Sequence, residues 1–165
     1  MEGSPAVIDQ LNRCLEVEWT APEAYSLFAS LFGVLGFRKL AEHWQKEAEE
    51  ERAHGAALAD RIIFLEGVPT TTHAGHPALP APDRTPKPAD LRALYQAALD
   101  LEMEARDRYR DGIVVMRSGS GGGDEVTATL LARLLEETEA HIRHLEGDLA
   151  AMDLTGADNW LSAQV

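Results

Sequence analysis

Five ionisable side chains stand where a helical protein normally places leucine: Glu18, Glu51, His54, Glu102 and His141. Each interrupts a stripe of apolar residues recurring every three or four positions, the spacing of one helix face. Charged groups normally occupy the solvated face of a helix. An ionised carboxylate taken out of water is costly unless it is paired or holds a metal. Glu51-Arg52-Ala53-His54 is a Glu-x-x-His unit. Positions three apart share a face, so a carboxylate oxygen and an imidazole nitrogen there reach one cation. At His141 the pattern breaks. The residue three before it is Thr138, flanked by Glu137 and Glu139. Glu137, four residues from His141 and roughly on its face, is the candidate for the missing carboxylate; Glu139 points elsewhere.

Four long helical segments must position these groups. The first runs from about Ala6 to Leu35, with Leu11, Leu15, Glu18, Pro22, Tyr25, Ala29 and Phe32 facing inward. Pro22 cannot donate to the carbonyl of Glu18, which predicts a kink beside that residue. The second runs from about Arg38 to Glu66, with Leu40, Trp44, Glu47, Glu51, His54, Leu58, Ile62 and Leu65 inward and Gly67 as its stop. A Thr- and Pro-rich connection follows from Thr70 to Pro88, carrying His73 and His76, which read as solvated histidines. Inside a compact domain so long a connection needs a reason, and in a bundle the reason is a crossover to the far end. The third helix spans about Ala89 to Met116, with Leu91, Leu94, Ala98, Glu102, Ala105, Tyr109 and Met116 inward. After a glycine-rich turn, Ser118 to Gly123, the fourth spans about Asp124 to Leu154, with Leu130, Leu134, Thr138, His141, Leu145, Leu149 and Met152 inward. Asp158 or Asn159 is placed to cap a short fifth helix, Trp160 to Gln164. The expected fold is all-α: one domain over 1–165, a four-helix bundle with a long crossover between helices two and three and a short C-terminal helix.

The bulk composition fits. Of 165 residues, 45% are apolar and 26% charged, ordinary for a globular chain. The net charge of −13 repels nucleic acid and anionic membrane and attracts cations. Cys14 is the single cysteine, so no internal disulfide and no zinc-type cysteine cluster can form. No secretory signal is legible at the N-terminus, and the longest uncharged stretch, Ala24 to Phe37, is too short to span a membrane. A cytoplasmic location is expected. One Glu from each of two helices plus Glu-x-x-His from the other two is the ligand plan of di-iron carboxylate bundles. Here Glu18, Glu51/His54 and Glu102 follow it and the fourth helix supplies only His141.

Several strings carry a resemblance. Val7-Ile8-Asp9-Gln10-Leu11-Asn12, Ile63-Phe64-Leu65-Glu66-Gly67-Val68-Pro69, Leu101-Glu102-Met103-Glu104, His141-Ile142 and Asn159-Trp160-Leu161-Ser162-Ala163-Gln164 are similar to segments of the bacterioferritins, and the likeness runs from Val7 to the C-terminus. The resemblance implies a ferritin-like bundle that assembles into a twenty-four-subunit hollow shell, oxidises Fe(II) at a di-iron centre with dioxygen or peroxide, and stores ferric mineral. It implies that Glu18 and His54 hold one iron, Glu102 and His141 the other, and Glu51 bridges them. It places Tyr25 and Glu47 beside the centre, and Asn159 and Ser162 near a shell channel. Two residues depart from the family pattern. Thr138 replaces the second bridging Glu, so three carboxylates face the four charges of two Fe(II) ions. Weaker or asymmetric filling is expected unless Glu137 or another anion substitutes. Arg52 replaces the methionine of haem-binding members, and a guanidinium offers no soft sulfur and does not deprotonate, so no haem is expected there.

The leading expectation is therefore an iron storage and detoxification protein with ferroxidase activity. One alternative is a structural subunit with a decayed centre, alone or beside a second ferritin subunit. The other is a di-metal oxidase of a small organic substrate, with Pro22 opening the pocket. His43 and His144 read as surface or satisfied histidines, and Trp44, Tyr95 and Tyr109 as packing residues.

Overall fold

The computed structural model describes residues 2–74, 88–119 and 122–165, so His76 and most of the crossover lie outside the described residues. Six helical segments follow in order: α1 Pro5–Glu18, α2 Ala21–Leu35, α3 Arg38–Phe64, α4 Pro88–Arg117, α5 Glu125–Thr155 and α6 Ala157–Ser162. No strand occurs among the described residues, and none of their helices is long and apolar enough to cross a membrane.

Helices α1 and α2 make one kinked rod. Ser4 caps its start, its Oγ accepting from Val7 N, with Pro5 in the first turn. Pro22 removes the donor that Glu18 O needs, and the ladder gives way over Trp19 and Thr20. Thr20 N reaches only as far back as Val17 O, at 2.8 Å, and its hydroxyl donates to Glu16 O. Both residues stay in right-handed helical space, so the rod bends without turning back. Gly36, at φ 89°, ends α2 and lets α3 fold back on it.

The end of α3 differs from the sequence expectation in detail. The left-handed position is Glu66, at φ 62°, rather than Gly67. Glu66 N bonds to Ile63 O and Gly67 N to Ile62 O, the paired bonds of a Schellman turn. Gly67 is needed for closeness instead: a Cβ there would lie 2.6 Å from Ile8 Cδ1.

The rod α1–α2 runs antiparallel to α4, pairing Gln10 with Arg108, Glu18 with Tyr109 and Tyr25 with Glu102. It also runs antiparallel to α3, where Gly3 bonds Leu65 and Gly55 faces Trp19. Helices α3 and α4 are therefore parallel, so the end of α3 and the start of α4 lie at opposite ends of the bundle. Helix α5 returns antiparallel to α3. Two apolar cores result. One holds Phe28, Phe32, Trp44, Tyr95, Leu149 and Trp160; the other holds Leu11, Leu15, Leu58, Tyr109, Leu131 and Leu134. Between them, on every long helix, lies a polar waist: Glu18, Glu51, His54, Glu102 and Thr138, none more than 4% exposed.

Two expectations need correction. The start of α5 is rotated by one residue, with Leu131 fully buried and Leu130 only half-buried. Neither Asp158 nor Asn159 caps α6: it begins at Ala157 with Gly156 before it and no side-chain cap. Asn159 Nδ2 instead donates to Thr155 O, satisfying a carbonyl at the end of α5.

Candidate metal centre

The waist gathers the five sequence candidates into two triads that share Glu51. Glu18, Glu51 and His54 form one, and Glu51, Glu102 and His141 the other, with donor atoms in each within 4.8 Å of one another. His54 Nδ1 lies 3.1 Å from Glu51 Oε2 and 3.5 Å from Glu18 Oε2. His141 Nδ1 lies 2.9 Å from Glu51 Oε1 and 3.6 Å from Glu102 Oε2. The two imidazoles are near parallel, 15° apart, with centroids separated by 6.3 Å. The kink at Pro22 sits directly after Glu18 and turns the rod so that Tyr25 approaches α4.

Each imidazole shows one nitrogen to the cluster and the other to a supporting carboxylate. His54 Nε2 contacts Glu137 Oε2 at 2.7 Å, and His141 Nε2 contacts Glu50 at 3.2 Å and Glu47 at 3.4 Å. Such a partner fixes the tautomer and ring orientation of a metal-binding histidine. Two tyrosines do the same for the carboxylates. Tyr25 donates to Glu102 Oε1 at 2.6 Å, and Tyr109 to Glu18 Oε1 at 2.5 Å. Tyr109, read from sequence as packing, is thus the counterpart of Tyr25. Its spacing of seven from Glu102, two helical turns on the same stripe, was the available signal. Glu50 was missed because it lies off the apolar stripe of α3.

Charge balance without a metal rests on protons. Burial and the neighbouring Glu51 carboxylate push Glu18 up to about 8. Burial alone would lower His54, but Glu18 and Glu51 outweigh it and push His54 up to about 11. Against the same opposing burial, Glu102 and Glu51 push His141 up to about 12. Burial, then Glu102 for Tyr25 and Glu18 for Tyr109, holds both phenols well above their ordinary value, so both stay donors.

The donor set fits divalent metal. Glu18 Oε2, Glu51 Oε1, Glu102 Oε2 and His141 Nδ1 are buried without a well-formed hydrogen bond, although they crowd together. Orphaned buried acceptors are costly unless something else satisfies them, and oxygen plus imidazole donors suit first-row transition ions.

Glu137 does not join either triad. Its Oε2 lies on the outer nitrogen of His54 and its Oε1 accepts from Arg133 at 3.0 Å. Thr138 is fully buried in the waist, with its Oγ1 unpartnered. Arg52 is exposed and donates to Ser26 Oγ at 3.2 Å. The kink does not open the cluster: a surface cavity of about 670 Å³ lined by Trp19, Pro22, Ser26, Arg52 and His73 includes none of the triad residues. His73 lies 4.0 Å from Glu23 and takes no part in the triads. A different cavity, of about 480 Å³, is lined by Lys46, Glu47, Glu50, Glu137, Ala140 and His141 and so touches one of the triads.

A helical bundle in which α3 and α4 run parallel, with a carboxylate–histidine waist across it, defines a class, and the chain belongs to the ferritin-like domain family, which matches residues 8–155. It is 33% identical to the bacterioferritin of Streptomyces coelicolor, across the whole chain and 92% of that protein. It is 32% identical to a bacterioferritin of Mycobacterium tuberculosis over 96% of this chain and 92% of the relative. The bacterial ferritin of Neisseria meningitidis is 30% identical over the full length of both.

Proposed function

We propose that this chain stores iron. Fe(II) is the substrate, held by Glu18, Glu51, His54, Glu102 and His141, oxidised by dioxygen or peroxide, and deposited as ferric mineral inside a hollow shell of copies of the chain. The observation that carries this reading is the pair of triads sharing Glu51, in which Glu18 Oε2, Glu51 Oε1, Glu102 Oε2 and His141 Nδ1 lack a hydrogen-bond partner. Membership in the ferritin-like family and similarity to bacterioferritins support it.

Iron supplies the electrons; the chain's groups do the rest. Glu51, shared by both triads, holds two ions at one fixed spacing. Glu137 and Glu50 hold His54 and His141 with Nδ1 inward. Tyr25 and Tyr109 each fix one carboxylate oxygen, leaving the other for the ion. Glu47, Glu50 and Glu137 line the cavity at His141 with negative charge and draw cations in. Glu137 acts as the support of His54, so Thr138 leaves the site one carboxylate short, and the two positions fill unequally. Arg52, bound to Ser26 Oγ and without a ligating lone pair, holds no haem.

Thr138 favours a second reading, an assembling subunit with an inactive centre. Aerobic oxidation of added Fe(II), followed by ultraviolet absorbance, separates the two. Wild type is expected to run well ahead of buffer, with His54→Ala falling to the buffer rate. Wild type at the buffer rate, with the shell intact by size-exclusion chromatography, overturns the storage-oxidase reading and leaves the structural one.

A further inference from the structure

Polar side chains bridge the seam between α3 and α5. Arg61 bonds Asp124, His54 contacts Glu137, and His141 contacts Glu50 and Glu47. At each of these crossings a base meets an acid. Towards the core that holds Trp44 the pattern changes. His43 of α3 faces His144 of α5, with ring centroids 4.9 Å apart and planes inclined at 56°. Behind each imidazole, four residues further along its own helix, stands a carboxylate. Glu47 Oε1 is 3.6 Å from His43 Nδ1, and Asp148 Oδ2 is 3.4 Å from His144 Nε2. His-x-x-x-Glu on one helix is answered by His-x-x-x-Asp on the other.

The sequence reads both as surface or satisfied histidines, and packing accounts for only part of the arrangement. His43 lies against Trp44, with centroids 5.4 Å apart. That contact does not call for a second imidazole opposite it on an exposed position. Nor is the pair held by charge, since two protonated imidazoles repel. Burial, then His144, His141 and Lys46, push His43 down to about 4, so near neutral pH it is in the form that ligates metal. The separation fits a shared ion. Two imidazoles bound at about 2.0–2.1 Å have centroids about 4.5–5.2 Å apart for nitrogen–metal–nitrogen angles of about 90–109°. His54 and His141, in separate triads, have centroids 6.3 Å apart and lie outside that range.

We propose that His43 Nε2 and His144 Nδ1 together hold a late first-row divalent ion, Cu(II), Ni(II) or Zn(II), at a site separate from the two triads. Glu47 and Asp148 face the other ring nitrogens and orient the imidazoles, as carboxylates do behind ligating histidines. Water completes the coordination on the exposed side. Two imidazoles with no carboxylate against the ion select the later metals over Fe(II), because affinity rises from iron to copper and imidazole suits that end of the row. Glu47 ties this site to the waist: its Oε1 faces His43 and its Oε2 lies 3.4 Å from His141 Nε2. The inference does not rest on the iron-storage reading, since its ligands are not those of the waist and its test reads no oxidation.

The number of imidazoles per ion separates the two places. Within either triad an ion meets one histidine, whereas at the pair it meets two. The test titrates the assembled protein with Cu(II) from below one to three equivalents per chain and counts coordinated imidazoles by electron spin echo envelope modulation. Copper bearing two imidazoles is expected in wild type. His144→Gln, at an exposed position that the fold does not need, is expected to abolish that population and leave the one-imidazole copper in place. His43→Gln is expected to do the same. Zn(II) calorimetry reads the same change as the loss of one bound ion per chain in either variant. Copper with a single imidazole throughout the wild-type titration, or a two-imidazole signal unchanged in His144→Gln, overturns the site. Either result leaves the iron-storage reading standing.

Discussion

Loading the centre with a divalent metal must expel protons, and the structure says how many. His54 and His141 are held charged up to about 11 and 12 by the carboxylates around them. Near neutral pH both therefore carry a proton on each ring nitrogen. A ligating imidazole must be neutral, so about two protons leave per chain as metal enters, and Glu18, pushed up to about 8, adds part of a third. Each released proton makes affinity rise about tenfold per pH unit, about 1.4 kcal/mol, so two give about a hundredfold. The same groups set the stability of the metal-free protein. Both histidines are raised above their unfolded value of 6.5. Their contribution is complete below that pH and is lost as pH rises towards 11 to 12, at about 1.4 kcal/mol per unit for each. Glu18 has the same sign, because its raised value makes ionisation between about 4.5 and 8 unfavourable in the folded chain. Zn(II), which is redox-silent, is the convenient probe. Titration calorimetry in two buffers of different ionisation heat counts the protons, and urea unfolding from pH 7 to 9 reads the stability. Release of fewer than one proton per chain, or metal-free stability that holds level over that range, would refute this account of the cluster.

Thr138→Glu supplies a fourth carboxylate to the waist; it is expected to destabilise the metal-free chain and to convert unequal metal filling into two equal, tight sites by titration, whereas equal tight sites already in wild type contradict the charge argument. Asp124 caps α5 through Thr127 N and takes both bonds from Arg61 Nη2, so Asp124→Ala removes a cap worth about 1 kcal/mol and strands a half-buried guanidinium at a further cost of about 1–3 kcal/mol, measured by urea unfolding. Leu131→Ala is expected to cost about 2–5 kcal/mol and Leu130→Ala distinctly less, a direct check on the register of α5. Gly67→Ala drives a methyl into Ile8 and is expected to cost about 1–3 kcal/mol, again by unfolding.

The waist was legible in the sequence because burial of a charged residue breaks an otherwise regular stripe. On α3 and α4 the inward residues named from spacing are buried, with Glu47 half-buried. What the sequence did not yield depends on angle or on distance across the bundle. Spacing places Glu137 roughly on the His141 face, yet the position lies near the boundary between two faces, and its carboxylate meets the far side of His54. The slip between Leu130 and Leu131 has the same origin, since adjacent leucines leave the helix phase open. Tyr25 lies two turns from Glu18 in the chain, but the kink carries its hydroxyl to Glu102 while Tyr109 reaches Glu18. The kink itself follows from Pro22; the cavity it borders faces outward, which chain order does not reveal.

The polar waist divides the bundle into two separate apolar cores. Removing one carboxylate alone strands the protonated imidazole beside it, whereas exchanging a whole set of paired charges for well-packed apolar residues of similar volume is often neutral or stabilising. Shape and chemistry are in that sense separable in this architecture: the two apolar cores specify the bundle, and the layer between them specifies the ligands. Thr138 shows the tolerance of the layer. The same reasoning gives the remaining members their meaning. Glu18, Glu51, Glu102, His54 and His141 are a liability to a protein that needs only to fold, and a chain that keeps all five is under a demand that folding does not impose.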